Sequence, residues 1–252
     1  MDNEHDVLKY NFGLVGKDIS YSFSRAYFSE KFKNENLPHT YQNFDLQDIS
    51  EIESEIASTQ NLKGLNVTIP YKEAIIPYLD KLNKKATKIG AVNTIKISKK
   101  GKLIGYNTDY YGFKHSIKPH LEQHHKSALI LGTGGASKAI AYALKKMGIT
   151  YHYLSRTNKK GVDFTYNELT EDLIEKHKII INCTPLGTFP DVNICPNIPY
   201  DGISKGHILY DLIYNPEVTK FLEIGGLQGA TTINGLDMLK LQAEKSWDIW
   251  NQ

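Results

Sequence analysis

The chain has 252 residues, 40% of them hydrophobic, and a formal net charge of +2. A chain of this composition is not globally disordered, and its length suits one large or two modest domains of about 100–200 residues each. With so little net charge and no long basic stripe, neither nucleic acid nor a membrane surface is expected as partner.

Two cysteines, Cys183 and Cys195, stand outside any metal-ligand spacing and are too few for a disulfide framework. Reduced thiols and a cytoplasmic location follow as expectations. Residues 1–9 are charged and polar with no apolar core, so they do not read as a secretory signal. No apolar run approaches the roughly 18 residues a membrane span needs.

In chain order, residues 10–15 read as a strand stopped by Gly16. Residues 24–34 read as a helix with Ser24 as its N-cap. A strand is expected at 41–44, and Ile49, Ile52 and Ile56 give 48–58 a helical spacing. Residues 65–69 form a strand running into Pro70. Segments 91–97 and 102–105 flank Lys99-Lys100-Gly101, a hairpin turn.

From about residue 127 the texture changes. The apolar run Ala128-Leu129-Ile130-Leu131 leads into Gly132-Thr133-Gly134-Gly135, and a helix is predicted over 136–147. Its apolar face carries Ala139, Ile140, Ala143, Leu144 and Met147, and Gly148 follows as the C′ residue. Strands are expected at 150–154, 178–183, 207–212 and 230–233, and residues 235–250 form an amphipathic helix. Continuous apolar strands alternating with helices predict an α/β fold with a parallel sheet covered on both faces.

Strand, glycine turn and helix in succession form a dinucleotide site, because bare backbone N–H groups and a helix N-terminus face a pyrophosphate. Gly132 and Gly134 supply the turn, and Ser137 stands where a third glycine is usual; its small size still permits close helix packing. An NAD site carries a carboxylate about 20 residues later to bind the ribose. Here Ser155-Arg156-Thr157 follows the next strand, with Lys159 and Lys160 close behind. A guanidinium matches a 2′-phosphate, so the cofactor is predicted to be NADP.

Upstream, Lys72 closes the word Gly64 to Lys72, and Asp109 closes Gly105-Tyr106-Asn107-Thr108-Asp109. A lysine and a carboxylate beside a nucleotide fold suggest proton transfer coupled to hydride transfer. Ser22 and Ser24 follow the first strand; Thr68, Asn93 and Asp109 lie near predicted strand ends. Together they suit a polar pocket for a hydroxylated, carboxylated small molecule. His120, His124 and His125 read as surface residues, and no metal is expected.

These words, in this order, resemble the shikimate dehydrogenase family from about Phe12 to Trp250. The carriers include Ser22-Phe23-Ser24, Asn66-Val67-Thr68-Ile69-Pro70-Tyr71-Lys72, Gly90-Ala91-Val92-Asn93-Thr94 and Asn107-Thr108-Asp109. Asn182-Cys183-Thr184-Pro185-Leu186-Gly187, Tyr210 to Pro216 and Asn234 to Leu239 continue them, and Gln242-Ala243 extends the last.

The resemblance implies reversible NADPH-dependent reduction of 3-dehydroshikimate to shikimate, on the way to chorismate and the aromatic amino acids. It implies that Lys72 and Asp109 form a catalytic dyad and that Ser22 and Ser24 hold the substrate carboxylate. Thr68, Asn93, Tyr214 and Gln242 are implied as further substrate contacts. For the cofactor it implies Gly132, Gly134, Gly135 and Ala136 at the turn, Ser155, Arg156 and Thr157 at the 2′-phosphate, and Thr184, Gly235 and Met238 at the nicotinamide end. The implied layout is an α/β substrate domain, residues 1–109 with the C-terminal helix 236–252, and a Rossmann-type NADP domain, residues 110–235. A monomer or homodimer is expected.

The chain departs from the family pattern at three places: Tyr21 stands for a usual His, Arg25 for a usual Pro, and Ser155 for a frequent Asn. A quinate/shikimate dehydrogenase is the near alternative. A tetrahydrofolate-type dehydrogenase is disfavoured by the two-serine word. A non-catalytic NADP-binding regulator is disfavoured by the presence of Lys72, Asp109, Asn93 and Gln242.

Overall fold

The structure, a computed structural model, describes residues 8–20 and 22–252. Tyr21 and the predicted absence of a signal in residues 1–7 lie outside the described residues. The chain divides into two compact units: one runs through Thr108 and includes Lys245–Gln252, the other is Asp109–Glu244.

The first unit contains β1 (Asn11–Gly16), α1 (Phe23–Asn34), β2 (Thr40–Asp45), α2 (Ile52–Ser58), β3 (Leu62–Val67) and α3 (Tyr71–Ala74). It continues with β4 (Lys81–Leu82), α4 (Lys84–Ile89), β5 (Thr94–Ile97) and β6 (Leu103–Tyr106). The sheet order is β2-β1-β3-β5-β6-β4. Strands β1, β2 and β3 run parallel, whereas β5 is antiparallel to β3 and to β6. The sheet is therefore mixed, because β5 and β6 form the predicted hairpin, closed by Ser98 N–H to Lys102 O at 2.9 Å and by Gly101 at φ +74.

The N-cap of α1 lies two residues earlier than the sequence suggests. It is Ser22, whose backbone is extended and whose hydroxyl accepts from Arg25 N at 3.2 Å. Ser24 is inside the helix and buried. A residue already in helical conformation cannot turn its oxygen back to the N3 amide, so the earlier serine caps. Strand β3 likewise stops at Val67, and Thr68 and Ile69 belong to the turn that follows.

Trp250 anchors the chain's end in this unit. Its indole donates from Nε1 to Ile95 O at 2.9 Å and lies flat on Gly64, where a Cβ would overlap the ring. The ring is 1% exposed. Gly64→Ala is therefore expected to destabilise by about 1–3 kcal/mol, because the indole cannot retreat without losing that bond. Urea denaturation reads this directly, and an unchanged midpoint would show that the indole yields freely.

The second unit contains α5 (Asp109–Ile117), β7 (Ser127–Leu131), α6 (Gly135–Lys146), β8 (Thr150–Ser155), β9 (Phe164–Thr165), α7 (Glu171–Lys176) and β10 (Ile179–Asn182). Then come β11 (Ile208–Asp211), α8 (Lys220–Leu227), β12 (Thr231–Ile233) and α9 (Leu236–Asn251), whose last residues from Lys245 belong to the first unit. The sheet order is β12-β11-β10-β7-β8-β9 and every neighbouring pair is parallel. Alternate residues feed two separate cores. Ala128, Ile130, Ile179, Ile181, Ile208 and Tyr210 enter one with α5 and α6. Leu129, Leu131, Ile180, Leu209 and Leu154 enter the other with Phe221 of α8 and Ile174 of α7. Both faces are dry, which explains why these strands read as continuous apolar runs. Gly148, at φ +75, ends α6 as predicted.

Candidate active site

In the first unit, the C-terminal ends of β1 and β3 and the start of β5 gather the predicted polar residues. Thr68 N–H donates to Val15 O at 2.8 Å, and Tyr71 N–H returns to Thr68 O at 2.9 Å, which seats α3 on the strand end. Lys72 is on α3, half-buried; its backbone carbonyl accepts from Val92 N at 2.7 Å. Asn93 O accepts from Val67 N at 2.9 Å, so Thr68, Lys72 and Asn93 share one edge.

A buried polar network lies behind that edge. Asn93 Oδ1 accepts from Thr108 N at 2.6 Å. Thr94 Oγ1 meets Ser246 Oγ at 2.8 Å, and Asn66 Nδ2 donates to Ser246 Oγ at 3.0 Å. Asn66 Oδ1 accepts from the Tyr41 hydroxyl at 2.8 Å. Burial pushes the Tyr41 phenol well above its ordinary range, so it stays neutral. Tyr41 reads as core in the sequence, an aromatic in a short strand, yet its hydroxyl belongs to this network through Asn66.

In the second unit, Asp109 is the first residue of α5 and 5% exposed. The sequence placed it near a strand end. It also opens a helix, where a carboxylate is stabilised by the N-terminal partial charge. Lys72 and Asp109 belong to different units.

At the glycine turn, Gly132 has φ +103, and a Cβ there would stand 3.2 Å from both Cys183 O and Thr184 Cγ2. Only glycine takes this backbone turn without strain. Helix α6 starts at Gly135; its N-cap, Gly134, offers no side-chain cap and has open space where a Cβ would be. First-turn N–H groups without a side-chain cap, at the end of a 12-residue helix, suit a pyrophosphate. Ala136 is in that first turn. Ser137 is fully buried and donates to Gly134 O at 2.7 Å, so its hydroxyl serves the helix.

Ser155 ends β8, and Arg156 and Thr157 are exposed on the following loop. That loop is closed by Asp163: its N–H donates to Tyr153 O at 3.0 Å and its Oδ2 accepts from Tyr153 N at 2.8 Å. This carboxylate near the cofactor-selecting loop was invisible to a reading that counted only from the turn. It is occupied by the backbone of β8 and paired with His152 at 3.4 Å. Arg156 lies near Tyr166, and its positive charge partly offsets the upward push of burial on that phenol.

Across the sheet, Thr184 follows β10 and Tyr214 follows β11. Tyr214 is 37% exposed. Gly235 precedes α9, and a Cβ there would overlap Leu212 O. Met238 and Gln242, each 7% exposed, lie on the face of α9 that meets Gly112 of α5, one turn beyond Asp109. His124 Nε2 is 3.1 Å from Gly206 O, and His125 Nδ1 accepts from Glu122 N at 2.8 Å. Among the described residues no three metal-ligating side chains group together, and no helix is long and apolar enough to cross a membrane.

Comparison with known proteins gives three kinds of match. The family model for the shikimate dehydrogenase substrate binding domain matches residues 14–95. The shikimate dehydrogenase (NADP(+)) of Methanosphaera stadtmanae is 39% identical, covering 94% of this chain and 90% of the relative. The crystal structure of shikimate dehydrogenase from Aquifex aeolicus is 34% identical with a TM-score of 0.86, covering 100% of this chain and 94% of the other. That of shikimate 5-dehydrogenase from Thermus thermophilus, in complex with NADP(H) and shikimate, is 27% identical with a TM-score of 0.84, covering 96% and 93%. Matches of this identity and length, over nearly the whole chain, mean that the chain belongs to the shikimate dehydrogenase family.

Proposed function

We propose that this protein catalyses the reversible NADPH-dependent reduction of 3-dehydroshikimate to shikimate, a step toward chorismate and the aromatic amino acids. The observation that carries this reading is the pairing of two arrangements. An uncapped helix start follows a positive-φ glycine, with Arg156 exposed beyond the next strand. Thr68, Lys72 and Asn93 share one polar edge in the other unit. The first unit binds the substrate and the second binds NADP. The enzyme is cytoplasmic, in keeping with two free cysteines, and works as a monomer or homodimer.

The substrate carboxylate is held by the Ser22 and Ser24 hydroxyls. Thr68, Asn93, Tyr214 and Gln242 contact the carboxylate or the ring hydroxyls. Lys72 donates a proton to the carbonyl oxygen as hydride reaches its carbon, and reclaims it in the oxidative direction. The Asp109 carboxylate orients the ammonium by a charge-assisted hydrogen bond. Bound NADPH supplies the hydride. Gly132, Gly134, Gly135 and Ala136 hold its pyrophosphate, and Ser155, Arg156 and Thr157 hold its 2′-phosphate. Thr184, Gly235 and Met238 flank the nicotinamide.

Nicotinamide absorbance with shikimate or quinate, each paired with NADP+ or NAD+, tests this directly. Turnover confined to shikimate with NADP+ is expected; comparable quinate or NAD+ turnover would move the protein to the broader quinate/shikimate class. Arg156→Ala is expected to weaken NADP+ about 10–100-fold, the worth of a charged hydrogen bond to phosphate, while leaving NAD+ nearly unchanged. Equal losses for both cofactors would remove Arg156 from phosphate recognition.

A further inference from the structure

Asp211 ends β11 and has no part in the proton or hydride transfer just described. It is a fully buried carboxylate that accepts three hydrogen bonds. Oδ1 accepts from Asn182 Nδ2 at 3.1 Å and from Ile213 N at 3.0 Å. Oδ2 accepts from Thr219 Oγ1 at 2.7 Å, and Thr219 is the N-cap of α8. Burial pushes the carboxyl up to about 6 despite these donors. An apolar residue would fill the same space without that desolvation cost.

The consequence lies in Asn182, also fully buried. A carboxylate can only accept, so it holds Asn182 with Nδ2 inward. Asn182 Oδ1 then faces the next loop, where it accepts from Thr184 N at 3.0 Å and from Thr184 Oγ1 at 2.6 Å. Nδ2 also reaches Leu186 O at 3.3 Å. A flipped amide would set Oδ1 against the carboxylate and the Leu186 carbonyl, and Nδ2 against the Thr184 N–H. The Thr184–Leu186 turn is therefore linked to Asp211 through one amide, whose Nδ2 donates to both Asp211 and Leu186 O. That turn lies against the glycine turn, with Thr184 Cγ2 at Gly132.

We propose that Asp211 is a positioning residue for hydride transfer: acting through Asn182, it sets the Thr184–Leu186 turn on which the nicotinamide ring rests. This rests on the NADP reading above. What matters is the acceptor oxygen presented to Asn182 rather than the negative charge. The ionisable groups that feel Asp211 are Cys183 and Tyr200, both pushed upward and neutral.

The full-length chain and its Asp211→Ala and Asp211→Asn variants separate this from a merely structural role. Titration calorimetry compares NADP+ with adenosine 2′,5′-bisphosphate, which lacks the nicotinamide, and kcat is read with shikimate. Asp211→Ala is expected to weaken NADP+ and lower kcat about tenfold each, leaving the bisphosphate unchanged. Asp211→Asn keeps an acceptor oxygen for Asn182 and is expected to restore both. Should Asp211→Ala not fold, Asn182→Asp sets a second carboxyl against Asp211, and the same contrast is expected to grow with rising pH as the pair loses its shared proton. Equal effects on both nucleotides, or none, overturn the proposal. A wild type that binds both nucleotides but turns over no shikimate fails the functional reading, while the binding contrast still decides the role of Asp211. A wild type that binds neither overturns the two together.

Discussion

Lys72→Ala is expected to lower kcat by about 10²–10⁴-fold, the usual range for removing a positioned general acid. The Lys72 carbonyl accepts from Val92 N at 2.7 Å, and alanine retains that backbone bond. Alanine is also the best helix former, and the Lys72 side chain is only half-buried. The loss should therefore appear in kcat at saturating shikimate and NADP+, with an unchanged melting temperature. If kcat stays normal and only KM for shikimate rises, Lys72 binds substrate and another group moves the proton.

Asp109→Asn is expected to lower kcat by about tenfold to a hundredfold at every pH, because the amide keeps the shape but not the charge that holds an ammonium. Asp109 is buried at the start of α5, so an isosteric change leaves its packing intact. Losing a carboxylate from a helix N-terminus costs about 0.3–1 kcal/mol of stability, which a denaturation midpoint measures separately. Steady-state rates across the pH range decide the matter. Wild-type turnover throughout would end the dyad idea and leave Asp109 as a helix-terminal charge alone.

Much of the architecture was legible because local rules and the fold agree. The run Ala128 to Leu131, the glycine turn and the α6 face carry their periodicity openly, and parallel strands buried on both sides announce themselves as apolar runs. Helix α5 was foreseen only as a helix end near His120, without bounds: Tyr110, Tyr111, Gly112 and His115 make a poor helical sequence by propensity. It stands because Phe113 and Ile117 enter the same core as Ile140 and Leu144 of α6. The two-residue strands β4 and β9 are too short to leave any periodic trace.

What the sequence determined by itself was composition, the turn chemistry of Gly132 and Gly148, the hairpin at Gly101, and the order of the family words. Those are local properties, set by backbone sterics and side-chain spacing. Only the structure decided which serine caps α1, that the Tyr41 hydroxyl bonds Asn66, and that Asp211, Asn182 and Thr184 form one chain of hydrogen bonds. The last two join residues from different elements, 29 positions apart for Asn182 and Asp211. A buried donor finds its acceptor in space, and no spacing rule along the chain records that choice.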